Sequence, residues 1–246
     1  MADHVMLAGL IAAISGLYAT AGQAGGTGFV AVMALASFPT DQIRATALAL
    51  NVVAAGYATA RLCFVLSIDW SLLGVLIAAS LPAAFLGGYI ALGGAFYSAV
   101  TGCLLLAACV AMLVKRQGDG GAVSRPVAIG IGAVTGFASG LSGIGGGVFL
   151  APLLVLFARM PVSRVAGLSP PFILANSIAG LAGILFAGQR LAFGSWPLMV
   201  AALVGSIAGT AIGLRWRSEI LTRYVLSAVL AVAGAQLLIR AVAFAP

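Results

Sequence analysis

Ser139 to Pro152 reads SGLSGIGGGVFLAP, an apolar stretch interrupted by three consecutive glycines, Gly145, Gly146 and Gly147. Glycine inside a helix costs ~1 kcal/mol against alanine and opens backbone angles that other residues avoid, so the triplet marks a break in a helix. An earlier stretch, Thr20 to Val32 (TAGQAGGTGFVAV), repeats the arrangement. A shift of 120 positions lays Gly16 on Gly136, Gly25 on Gly145, Gly26 on Gly146 and Phe29 on Phe149. Two related broken helices therefore frame the chain.

The sequence around them suits lipid. Hydrophobic residues make up 63% of the 246 and charged residues 7%, with a mean hydropathy of +1.19, which excludes a soluble domain of this length. The longest hydrophilic stretch, Lys115 to Arg125, is read as a cytoplasmic linker between a first transmembrane repeat (1–114) and a second (126–246). No basic region precedes the first apolar tract, which runs straight into the first glycine motif. No cleavable signal is read, and the first helix is expected to stay. The net charge of +7 does not point to nucleic acid, because Lys and Arg stand at the ends of apolar segments rather than along one polar face. Cys63, Cys103 and Cys109 show no spacing for a metal or a disulfide and are expected in the core.

Residues 5 to 38 form one apolar tract that as straight helix would extend roughly 51 Å, against a hydrocarbon core of roughly 30 Å. A hairpin of two partial spans with both ends on one side resolves the excess, and residues 127 to 158 divide in the same way around Gly145 to Gly147. Three ordinary spans are expected after each hairpin, at about 42 to 66, 70 to 92 and 95 to 114, then 163 to 187, 195 to 214 and 222 to 243. A shift of 126 pairs Trp70 with Trp196, Ser80 with Ser206 and Gly87 with Gly213, the weak internal symmetry of a duplicated transporter-like layout.

Charge decides how the halves are related. Hairpins give each half an odd number of crossings and make the halves inverted, whereas single crossings make them parallel. With Lys115, Arg116 and Arg125 inside, the inverted arrangement also puts Arg159, Arg164, Arg215, Arg217 and Arg223 inside, and the parallel one moves those five outside. The expected fold is an all-α integral membrane protein of two inverted repeats, each a glycine-broken helical hairpin followed by three transmembrane helices, with both termini outside.

Unwound backbone at membrane depth is tolerated only inside protein or beside water, so its bare N–H groups point to a cavity that uses them. A helix starting at Gly28 or Gly147 would aim a partial charge of roughly +0.5 and several free donors into it, a setting for an anion. Close helix packing is the competing reading of the same glycines, which number 33. The candidate binding residues are Gln23, Gly25, Gly26, Thr27 and Gly28 at the first break, and Ser142, Gly145, Gly146 and Gly147 at the second. Asn51 and Asn176 lie within related spans, where they either line a pathway or bond helix to helix. Arg44 is added as a charge near the start of its span; Arg61, nearer an end, either supplies charge or snorkels. Ser169 is added because Pro170 and Pro171 remove backbone donors, so this turn is expected to be non-helical near the glycine hairpin.

Asp3, Asp41, Asp69, Asp119 and Glu219 stand at segment ends or in the linker, and His4, the single histidine, is terminal. A buried proton relay, an embedded aspartyl protease and a carboxylate metal site each need a carboxylate that the spans lack. With no nucleophile paired to a base and no metal cluster, the chain is read as no enzyme and as needing no cofactor.

Carried by SGLSGIGGGVFLAP, by the weaker TAGQAGGTGFVAV and by the length and duplicated layout, the whole chain resembles the TauE/SafE family of sulfite exporters. Its first motif departs from the usual form, with Thr27 where a third glycine is common and Val32 where a proline is. The resemblance implies a multi-pass carrier in a bacterial inner membrane that exports a small sulfur-containing anion such as sulfite or an organosulfonate. Its partners would be that anionic substrate and the lipid bilayer, with no nucleic acid and with a homo-oligomer left open. A channel or carrier for another small solute is the alternative.

Overall fold

In the computed structural model of the chain, residues 2–65, 68–90, 94–113, 123–157, 160, 162–192, 194–215 and 219–243 are described. Lys115, Arg116, Asp119, Arg159 and Arg217 lie outside them, as do the side chains of Asp3, His4, Glu219, Arg223 and Arg240. The described residues form ten helices and no strand: α1 (Ala2–Thr20), α2 (Gly26–Leu35), α3 (Thr40–Cys63), α4 (Trp70–Tyr89), α5 (Gly94–Leu113), α6 (Arg125–Ser142), α7 (Gly147–Phe157), α8 (Val162–Phe186), α9 (Trp196–Arg215) and α10 (Glu219–Ala243). The fold is that of an all-α membrane protein.

Boundaries follow local chemistry. Asp69 precedes α4 and its carboxylate accepts from the Leu72 amide at 3.0 Å, so this acidic residue caps a helix rather than entering the membrane. Pro126 sits in the first turn of α6, where its missing N–H costs nothing. The two breaks occur where expected, although α2 begins at Gly26, two residues before the expected Gly28. The expectation of a non-helical turn at Ser169-Pro170-Pro171 is corrected: α8 runs through both prolines. Ser169 Oγ donates to the Val165 carbonyl at 2.9 Å, and the Ala166 carbonyl that Pro170 frees lies against Gly22 in the first break.

Helix directions can be read from the residues in contact. In the first hairpin Tyr18 meets Thr27, Ile14 packs on Gly28, and Met6, Leu7 and Leu10 share a groove with Val32, Leu35 and Phe38. Thus α1 and α2 are antiparallel, and α2 returns to the level at which α1 begins. A Cβ on Gly132, Gly136 or Gly140 would strike Leu76, Ser80 or Ala84, so α6 runs parallel to α4. Gly205, Gly209 and Gly213 likewise lie on Ala12, Gly16 and Thr20, so α9 runs parallel to α1. Both seams carry a small residue every fourth position, which lets backbones approach without side chains between them.

Two further pairs run oppositely. Gly102 faces Leu238 and Gly234, while Cys109 meets the Ser227 carbonyl, making α5 and α10 antiparallel. Leu48 contacts Gly180 and Gly56 contacts Leu174, making α3 and α8 antiparallel as well. The pairings exchange into one another when the halves are swapped: α1 with α9 and α6 with α4, α2 with α10 and α7 with α5, while α3–α8 and α5–α10 map onto themselves. The outer surface is apolar, with Leu86, Val134, Val204 and Ile212 exposed. Of the three cysteines only Cys109 is in the core; Cys103 is exposed on the outer surface of α5 and Cys63 is intermediate, which corrects the expectation for all three.

These seams predict an asymmetric response to substitution. Gly136→Leu forces backbone apart at Ser80 and should cost at least the ~1–3 kcal/mol of an overpacked core, whereas a Cβ on Gly130 meets nothing within 4 Å. Melting of the detergent-purified protein should drop by several degrees for Gly136→Leu and stay within error for Gly130→Leu.

Candidate functional site

The two breaks, Ala21–Gly25 and Gly143–Gly146, do more than interrupt helices, because they meet each other. Gly25, Gly143, Gly145 and Gly146 have φ of +110°, +78°, +89° and +82°, angles that side chains resist and that turn the chain within a few residues. A Cβ on Gly26 would run into the Ile144 carbonyl, and one on Gly147 would run into Gln23 Oε1. The first residue of each short helix therefore touches the opposite break. No side chain caps the start of α2. The first-turn amides of a helix have no intrahelical partners, and here two such starts, α2 and α7, converge in the protein interior.

Asn51 of α3 ties the breaks together. Its Nδ2 donates to the Ile144 carbonyl at 2.9 Å and lies 2.6 Å and 2.8 Å from where side chains would begin on Gly26 and Gly145. Its Oδ1 is buried and unpartnered. Asn176 repeats the pattern on α8, with Nδ2 on the Phe172 carbonyl at 2.9 Å and Oδ1 unpartnered. Gln23 Oε1, Ser139 Oγ and Ser177 Oγ are also buried without partners. Ser177 lies at Gly145 and Ser139 at Gly146. Each buried polar atom left unpaired costs ~1–3 kcal/mol, so the four around this turn pair, those of Asn51, Gln23, Ser139 and Ser177, make it the candidate place for a polar ligand.

The other candidate residues divide between this place and its supports. Thr27 bonds to the Tyr18 hydroxyl, which also meets the Gly28 amide, so both residues are used in closing the first hairpin. Ser142 and Ser169 turn their hydroxyls back onto Ala138 and Val165 one helical turn earlier. Arg44 is fully buried, with Nη1 3.0 Å from the Ile90 carbonyl and Nη2 at 3.1, 3.3 and 3.0 Å from those of Gly87, Gly88 and Gly140. It lies over the Tyr97 ring and its backbone packs on Gly143. The guanidinium thus neutralises the negative ends of α4 and α6. Arg61, by contrast, is exposed at the end of α3.

Tyr97, whose hydroxyl donates to the Ser142 carbonyl at 2.7 Å, was not legible as part of this region, nor were Ser139 and Ser177. Ser139 opens the quoted motif and Ser177 follows Asn176 directly, so position in sequence was the available signal. Tyr97 had none, being one aromatic in an apolar span.

Among the described residues four helices are long and apolar enough to cross a membrane, Asp41–Cys63, Trp70–Tyr89, Arg164–Phe186 and Trp196–Arg215, and they accompany two broken hairpins whose buried breaks meet. That combination defines a multi-pass membrane transporter rather than an enzyme. The family model described as sulfite exporter TauE/SafE matches residues 5–237, and the chain belongs to that family. A probable membrane transporter protein of Sinorhizobium fredii is 35% identical over 229 residues, covering 90% of this chain and 92% of the relative. Another, of Methanocaldococcus jannaschii, is 32% identical over 111 residues, covering 42% and 41%. No solved structure matches the chain significantly.

If backbone approach at the breaks makes the site, Gly146→Val should weaken substrate binding at least tenfold in purified protein whose melting curve remains cooperative. Its φ of +82° and the Ser139 and Phe172 side chains 3.1 and 3.2 Å away leave no room for the branched side chain. Arg61→Gln should bind as the parent does; the reverse ranking would move the site to the arginine.

Proposed function

We propose that the chain exports a small sulfur-containing anion, sulfite or an organosulfonate, across a bacterial inner membrane through the site between its two glycine breaks. The observation that carries this reading is the convergence of the α2 and α7 starts on Asn51 and Gln23 in a fully buried place. Two helix N-termini offer roughly +0.5 each, and fixed backbone dipoles replace the water of a small anion without ordering side chains. The ligand would be held by amides of Gly25–Thr27 and Gly145–Gly147 with Gln23, Asn51, Ser139 and Ser177 beside them. Arg44 then acts on it through the Gly143 turn its backbone packs against, while Ser142, Ser169 and Asn176 hold carbonyls one turn earlier in their own helices.

The division into repeats 1–114 and 126–246, inverted about the linker, is part of the same proposal and is supported by the packing directions. Parallel α1 and α9, parallel α4 and α6, and antiparallel α3–α8 and α5–α10 fit together if each break reverses the chain. If the breaks were simple crossings, α3 and α8 would run the same way. On the reversing path Arg61, Arg125, Arg164 and Arg215 share one face and Arg190 takes the other, as expected if the first face is cytoplasmic.

Among the described side chains the one carboxylate within a span, Asp41, is exposed in its first turn, so movement of the anion down its own electrochemical gradient is the simplest energetics. The membrane potential supplies ~2.3 kcal/mol per charge per 100 mV in the outward direction. Proteoliposomes loaded with sulfite should release it saturably, and faster with an inside-negative potential. Release that is absent, or that needs a pH gradient and ignores voltage, would contradict the proposal.

A further inference from the structure

On the reading of this site as an anion carrier's, we infer that the species it holds is a singly charged oxyanion group accompanied by a hydrogen-bond donor, not a fully deprotonated dianion. Two independent observations lead there, one of charge and one of hydrogen-bond polarity.

The positive charge at the breaks amounts to about one unit, the sum of roughly half a unit from each of the α2 and α7 N-termini. Arg44 is the one fully buried cation among the described residues, and it adds little there. Its terminal nitrogens are committed to the carbonyls of Gly87, Gly88, Ile90 and Gly140, at helix ends of opposite sign. The desolvation cost of an ion rises with the square of its charge, so a dianion costs about four times what a monoanion of equal size does, against the same fixed dipoles.

Polarity narrows the ligand further. Asn51 Nδ2 is held on the Ile144 carbonyl at 2.9 Å, and turning the amide over would set two oxygens against each other. Its orientation is therefore fixed and its buried Oδ1 can only accept. Gln23 Oε1, 3% exposed, is a second unpaired acceptor, at the first residue of α7. A bare oxyanion carries only acceptors and would set its lone pairs against these oxygens. An O–H on the protonated form of the anion, or the ammonium of an aminosulfonate, pairs with them while the remaining oxygens take the backbone amides.

The protein's own titration does not obscure the test. Among the described side chains, the titratable groups in contact with the breaks are Arg44, packed on Gly143, Tyr18, on Thr27 and the Gly28 amide, and Tyr97, on the Ser142 carbonyl. Asp41 and Cys63 stand at the two ends of α3, Cys103 faces outward and Cys109 is turned to the Ser227 carbonyl. Taurine, whose charge stays constant up to about pH 8, is the control that separates the ligand's proton from any titration of the protein, His4 on α1 included.

Calorimetric titration of the full chain in lipid nanodiscs should compare sulfite, which loses its last proton near neutrality, with taurine, methanesulfonate and sulfate. We expect sulfite affinity to fall about tenfold per pH unit above the anion's own pKa. Taurine should bind with constant affinity up to about pH 8, at least tenfold more tightly than methanesulfonate, which has the charge without the donor. Asn51→Ala should erase the preference for taurine over methanesulfonate, and the pH series on the parent protein stands even if that variant does not fold. Sulfite affinity that is flat or rises with pH, or sulfate and methanesulfonate binding as tightly as taurine, would overturn the inference and leave the anion carrier standing. Failure of all four to bind at every pH would remove both.

Discussion

A peptide group in hydrocarbon has no water to turn to, and each one left unpaired costs several kcal/mol. That constraint governs this chain because it breaks two helices at membrane depth. Its solution is to bring the breaks together and enclose them. Asn51 supplies a donor to the Ile144 carbonyl, Tyr97 supplies one to Ser142, and Arg44 supplies several to the ends of α4 and α6. Among the described side chains, the unpaired atoms that lie at the breaks are Asn51 Oδ1, Gln23 Oε1, Ser139 Oγ and Ser177 Oγ, beside the first-turn amides of α2 and α7. A transporter site is, on this account, the part of the backbone problem that the protein leaves for its ligand to complete.

Getting the breaks close enough requires helices that pack backbone to backbone. The glycine seams on α6 and α9 do this, and they place the long arms of the two hairpins, α6 and α1, directly against α4 and α9. The halves share this framework yet differ at its corners. One corner is closed by a buried cation, Arg44, on four carbonyls. The related corner of the other half uses Pro170 to free the Ala166 carbonyl, which Gly22 then covers. Related backbones are thus braced by charge on one side and by the omission of a donor on the other, so the two halves are not chemically equivalent at these corners.

Much of this was legible in the sequence because glycine and charge act locally. Gly25 and Gly145 announce their breaks by residue type, and the ends of α4, α5, α8 and α9 fall within a few residues of the expected spans. The seams were legible too, in the four-residue spacing of Gly132, Gly136 and Gly140 and of Gly205, Gly209 and Gly213, although packing and site-forming glycines look alike without coordinates. Arg44 illustrates the limit. Its distance from the end of α3 is readable, but its role depends on carbonyls more than 40 positions away, and no local rule assigns them. Pro170 and Pro171 show the converse. Their local rule forecasts a break, and packing against Gly22 outweighs it.

The most direct measurement is the position of a bound anion, using a sulfonate that carries a heavy halogen and its anomalous or strong map density. The account predicts density within hydrogen-bond reach, about 3 Å, of the amides at Gly26, Thr27 and Gly147, with Asn51 beside it. Density at Arg61 or Arg190 with the breaks still closed on each other would contradict it.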